Sequence, residues 1–167
     1  KSTTSALAIL WFALTRDAVG RDWKCVTTAG AWQQLIQYLW PEIRKWARLL
    51  NPEELGRPEL DTRSELLTLN LKLRFGSAFA VASDNAMLIE GAHADSMMYV
   101  FDESKAVAAE TFDAAEGAFS GASDETGIEA FALAMSTPGE PNGRFYDIHT
   151  RKKGLENWWP RHVTKEE

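Results

Sequence analysis

One run, Met97-Met-Tyr-Val-Phe-Asp-Glu-Ser104, constrains the fold of this chain more than any other stretch. Its apolar part is rich in β-favouring Tyr, Val and Phe and has no alternating polar residue to mark a wet face. It therefore predicts a strand buried on both sides, as in a parallel sheet. Two adjacent acids, Asp102 and Glu103, stop the run. Open α/β sheets bind their ligands at the carboxyl ends of the strands, so an acid pair there has two readings. The plain one is a pair of carboxylates favoured in the first turn of the next helix. The chemical one gives Asp102 to a divalent cation and Glu103 to orienting and activating a water, as in the Walker B arrangement of nucleotide hydrolases.

The rest of the chain supplies partners for such a strand. Ser5 to Leu14 is apolar nearly all round and predicts a core helix beneath a sheet. Trp23 to Thr28 reads as a short strand. Trp32, Leu35, Ile36, Leu39, Ile43, Trp46 and Leu50 recur at helical spacing, with Pro41 expected to kink or restart the helix. Leu67, Leu69, Leu71, Leu73 and Phe75 alternate with polar residues and predict a strand with one wet face near a sheet edge. Strands are expected at Ser77–Ala82, Ala130–Met135 and Trp158–Val163, helices at Val107–Phe119 and Arg144–Arg151, and a loop over Ser123–Gly127. Strands alternating with helices argue for one α/β domain over residues 1–167, a three-layer sandwich around a mainly parallel sheet.

Charge is unevenly spread. The net charge is −6, and between Gly76 and Glu140 there are twelve Asp and Glu but a single Lys or Arg, Lys105. An acidic centre suits a cation better than a nucleic acid, whereas the basic flanks could meet a phosphate backbone. Cys25 is the only cysteine, which excludes an internal disulfide, and the lack of a Cys/His cluster argues against structural zinc. No apolar run approaches the roughly 18 residues of a membrane helix.

Lys1-Ser2 stands directly before the first helix. It reads either as a frayed end with Ser2 or Thr3 as N-cap, or as the close of a phosphate loop, whose pattern ends Gly-Lys-[Ser/Thr]. In the second reading the Lys1 ammonium contacts ATP phosphates and the Ser2 hydroxyl ligates Mg²⁺. Ser136 and Thr137, after the second buried strand, would then hydrogen-bond the γ-phosphate or the attacking water. The order Lys-Ser, apolar-Asp-Glu, apolar-Ser-Thr is more specific than any of its pieces. On this reading the chain begins inside its own phosphate site, truncated at the N-terminus without the first strand and the glycine loop, and by itself it is expected to be inactive as an ATP hydrolase. One side of the central strand would be left unpaired and stability would be marginal.

At these residues the chain resembles the large terminase subunit of tailed bacteriophages, in its N-terminal ATPase domain. The likeness rests on Val26–Ala29, Ile89-Glu-Gly-Ala-His-Ala94, Met97–Ser104, Ala108–Gly121 and Ala134-Met-Ser-Thr-Pro-Gly-Glu-Pro-Asn-Gly-Arg-Phe-Tyr146. The resemblance implies a RecA-like (ASCE) P-loop sheet and hydrolysis of ATP with Mg²⁺ to drive double-stranded viral DNA into a capsid. It also implies a homo-oligomeric ring at the portal protein, a small terminase subunit as partner, and a place in the host cytoplasm rather than a membrane. A separate nuclease domain would lie outside this chain. Carried over by position, Lys1 and Ser2 match the end of Walker A, Asp102 and Glu103 match Walker B, and Ser136 and Thr137 match the coupling motif. Arg144 follows as a candidate for sensing phosphate or a neighbouring subunit. Two rivals keep the same residues: a superfamily 2 helicase core, and a non-catalytic prophage remnant.

Overall fold

A computed structural model of the protein describes residues 1–123 and 125–164; Asp124, within the expected Ser123–Gly127 loop, and residues 165–167 lie outside the described residues. Five strands form one sheet in the order β2-β3-β1-β4-β5. These are β1 (Trp23–Ala29), β2 (Asn70–Lys72), β3 (Gly76–Ala80), β4 (Ser96–Asp102) and β5 (Glu129–Met135). All neighbours run parallel except β2, which pairs antiparallel with β3.

Every residue of β4 is buried, as its unbroken apolar run requires. Alternation then divides its side chains between two cores. Met98 and Val100 join Trp23, Cys25 and Ala29 of β1 beneath α1 (Ser2–Ala18), with Leu39 just before α3 (Trp40–Ala47) and Ile43 within it. Met97, Tyr99 and Phe101 face the opposite layer, which includes α5 (Ala86–Glu90), α6 (Ala109–Gly117) and α7 (Arg144–His149). Phe101 stacks on Phe112 of α6 with centroids 4.3 Å apart. Burial of rings this size contributes about 2–3 kcal/mol each. The molecule is therefore an α/β sandwich with helices on both faces of a mostly parallel sheet.

Pro41 restarts its helix rather than ending it. Trp32–Gln34 (α2) leads into one π-turn, Leu35–Leu39, and α3 follows with Pro41 in its first turn. Proline has no N–H to return to the preceding turn, and the wider π-turn absorbs the mismatch. Trp40, just before it, is fully buried and donates from Nε1 to Thr27 Oγ1 at 3.1 Å.

Three expectations need correction. The alternating Leu67–Phe75 segment contributes only three strand residues, Asn70–Lys72. Leu66 bridges back to Leu71, so the segment folds on itself before a full ladder can form. Residues 158–163 make no strand. Pro160 lacks a ladder donor, and Trp158 instead packs edge-on against Phe112 and donates to Glu116 Oε1 at 2.8 Å. Finally, the expected unpaired side is not on β4, which lies between β1 and β5. It is on β5, whose outer side carries no strand among the described residues. There Phe131 is 44% exposed.

Candidate functional site at the carboxyl edge of the sheet

The parallel register aligns Ala29, Asp102 and Met135 at one edge, so the segments leaving β1, β4 and β5 emerge side by side. Asp102 continues the alternation of Met98 and Val100, which puts its side chain on the α1 face. It is 2% exposed, and its Oδ1 has no hydrogen-bond partner. Burial, reinforced by the Glu103 charge, pushes its carboxyl above the ordinary aspartate range.

Glu103 leaves the strand with φ 47° and ψ 49°, a left-handed conformation unfavourable for a residue with a Cβ. This turns its side chain toward two of the predicted partners. The Lys1 ammonium makes an ion pair with Oε1, and the Ser136 hydroxyl donates to Oε2 at 3.3 Å. Burial alone would raise the Glu103 carboxyl. The Lys1 hydrogen bond and charge, the Ser136 hydroxyl and the Lys105 charge outweigh it and hold the carboxyl below its ordinary value.

A one-turn 3₁₀ segment, Ser104–Ala106, ties the three strand exits together. The buried Ser104 hydroxyl contacts the carbonyls of Phe101 (2.8 Å) and Met135 (3.1 Å), bridging β4 to β5. Lys105 Nζ donates to Thr137 Oγ1 at 2.9 Å. Ala106 lies against Gly30, at the exit of β1, so closely that a Cβ on Gly30 would stand 2.4 Å from the Ala106 Cβ.

Lys1, Asp102, Glu103, Ser136 and Thr137, predicted from three separate stretches, thus meet at one edge. Ser2 follows Lys1 in the first turn of α1. That helix has no side-chain cap and no acid in its first turn, so its leading amides remain open to an anion. Arg144 is engaged elsewhere, by Asp113 and by Glu116 (Nη1 to Oε2 3.4 Å) of α6. His93 is exposed in the turn before β4. Sequence reasoning missed the Ser104 bridge and the Gly30–Ala106 contact. The one available signal was Lys105, a lone base two residues after the acid pair. Two surface cavities lie away from this cluster, one among Leu14, Arg48, Leu55 and Arg57, the other among Met87, Glu90 and His93.

Among the described residues no three His, Cys, Asp or Glu side chains converge to cage a metal, and no helix is long and apolar enough to cross a membrane. Fold and site together define an α/β protein with a lysine, an acid pair and hydroxyls at the carboxyl edge of a mostly parallel sheet. No family model matches the chain. A stretch of it is similar to the probable terminase large subunit of Enterobacteria phage P7, 36% identical over 67 residues, which are 40% of this chain and 12% of that protein's length. The likeness supports a relationship to large terminase subunits over that stretch.

Proposed function

We propose that this chain is part of the RecA-like P-loop ATPase core of a phage large terminase, which hydrolyses ATP with Mg²⁺ to package double-stranded viral DNA. As in the family it resembles, it would act in a ring at the portal protein with a small terminase subunit, within the host cytoplasm. The observation that carries the reading is the convergence of Lys1, Asp102, Glu103 and Ser136 at one sheet edge. Segments about 30 to 100 residues apart in sequence meet there in the order expected of phosphate-binding, metal-binding and coupling motifs.

In this reading Lys1 and the open amides of α1 receive the phosphates. Lys1 and Glu103 now satisfy each other, so phosphate oxygens would compete for the ammonium and release the carboxylate toward water. The residues fit Mg²⁺. Asp102 Oδ1 is a buried carboxylate oxygen with no protein partner, and Ser2 would offer its hydroxyl. Phosphates and waters would complete the shell, as Mg²⁺ sites commonly require. When bound, the ion would neutralise charge on the transferring phosphoryl group. Glu103 would orient and deprotonate the attacking water, with Ser136 holding the carboxylate in place and Thr137 beside it.

The test is ATP hydrolysis by the full-length product of the native gene beside its Glu103→Gln form. Turnover in the first, with binding but no turnover in the second, upholds the reading. Failure of both to bind nucleotide would reduce the acid pair to a helix start.

A further inference from the structure

Lys105 stands alone as a base among twelve acids between Gly76 and Glu140, yet its ammonium donates to neutral groups. Its Nζ donates to Thr137 Oγ1 at 2.9 Å and to the Pro138 carbonyl at 3.4 Å. Its stem crosses Gly139 so closely that a Cβ there would stand 2.8 Å from Lys105 Cδ. Its backbone amide donates to Ser136 Oγ at 3.4 Å. One residue therefore touches every position of the 136–139 turn, and the first of those positions hydrogen-bonds Glu103.

Stability does not account for this arrangement. Lys105 is exposed, so solvent screens the hydrogen bonds its ammonium makes to neutral acceptors, and holding a long flexible side chain costs rotamer freedom that such bonds return only in part. Shape gives a better account. A glycine at 139 admits the lysine stem, the stem carries the ammonium to Thr137, and the turn is pinned with Ser136 facing Glu103.

We propose that Lys105 is a positioning residue for ATP turnover, clamping the turn after β5 so that Ser136 holds the Glu103 carboxylate in its working orientation. The inference rests on the ATPase reading above. Its positioning action runs through Ser136, beside the through-space pull of its charge on the Glu103 carboxyl, and not through contact with nucleotide.

The experiment uses the full-length protein with Lys105→Met, which keeps the stem over Gly139 and removes the ammonium, and Lys105→Arg, which restores a donor. In Lys105→Met, kcat is expected to fall about tenfold or more while KM for ATP moves less than about threefold, the pattern of lost transition-state positioning. Adding Ser136→Ala to Lys105→Met should cost little more, because both act through one contact. Lys105→Arg should recover most of the rate. Amide exchange at residues 136–139 should quicken in Lys105→Met without nucleotide. An unchanged kcat, or a KM rise at constant kcat, overturns the proposal. If the wild type does not hydrolyse ATP, the ATPase reading falls and the turnover role falls with it. Exchange then still decides the clamp itself, and unchanged exchange in Lys105→Met overturns that too.

Discussion

Both ends of the parallel sheet gather charge, but they treat it in opposite ways. At the amino end, Glu129 Oε2 receives Arg16 Nε (3.2 Å), Arg16 Nη2 (3.0 Å) and the Ser96 hydroxyl (3.0 Å), with Arg21 4.0 Å from Oε1. Asp17 similarly accepts from Trp23 Nε1 at 3.2 Å and the Phe75 amide at 2.8 Å. At the carboxyl end, Asp102 keeps a buried oxygen without a partner and Glu103 sits at positive φ. Of five buried unpartnered polar side-chain atoms among the described residues, three belong to Ser5, Thr28 and Asp102, in the segments that meet at this end; a fourth, Arg21 Nε, is at the amino end. A chain selected only for stability would saturate both ends. The contrast marks the carboxyl end as the one that leaves groups available for a ligand.

The sharpest way to break the comparison is at Glu103. If it is a general base, Glu103→Gln should lower ATP turnover by about 10² to 10⁴-fold and leave cooperative unfolding intact. A comparable loss of stability would make Glu103 a structural residue like Glu129. Next in size is Gly30→Ala. The added methyl would meet the Ala106 Cβ at 2.4 Å and its backbone at 2.8 Å. We expect a cost of about 2–3 kcal/mol in denaturant unfolding, and an unchanged midpoint would disprove the close approach.

Glu129→Gln should cost about 1 kcal/mol, in keeping with a partly exposed ion pair. Burial alone would raise the Glu129 carboxyl, but Arg16, Ser96 and Arg21 together hold it below its ordinary 4.5. Its contribution is therefore present above pH ~4.5 and lost as pH falls through the lower folded value. The variant's deficit at pH 7 should vanish in acid. Asp102→Asn has the opposite sign. A carboxyl raised above 3.8 favours folding fully only below that pH, and the advantage is lost as pH rises. The amide should therefore stabilise the protein by about 1 kcal/mol at pH 7, with the gain disappearing near pH 3.8, while weakening any Mg²⁺ response. Equal stability of the two forms at neutral pH would mean that Asp102 is not strained.

The central strand was legible because its signal is local: an apolar run without alternation has few homes other than the middle of a parallel sheet, and β4 lies there within a residue of where the pattern puts it. β5 also falls within a residue of its expected place, but the expected burial does not hold, because it is an edge strand whose residues are half-buried or exposed. Lys1, Asp102, Glu103 and Ser136 were legible as a set because each stands at an element boundary, and parallel strands bring such boundaries to one edge. Edges were harder to read. Leu67 to Phe75 has perfect alternation, but a strand needs a neighbour, and the turn-back at Leu66 leaves room for three paired residues. Residues 158–163 carry aromatic β-formers, yet Trp158 gains more from the Phe112 ring and the Glu116 carboxylate than a Pro-interrupted ladder could give. The contacts of Lys105, Ala106 and Gly139 depend on the packing of three exits, and no single-residue pattern encodes that.

Cys25 lies fully buried in the middle strand of the sheet, and burial pushes its thiol far above the ordinary range. A thiolate must form and meet reagent before it reacts, so the folded molecule is silent to disulfide reagents. With no other cysteine in the chain, each labelling event reports one opening of β1 from between β3 and β4. The protein thus carries its own stopwatch: the rate at which a thiol dye turns colour, with and without nucleotide, times how often the heart of the sheet comes apart.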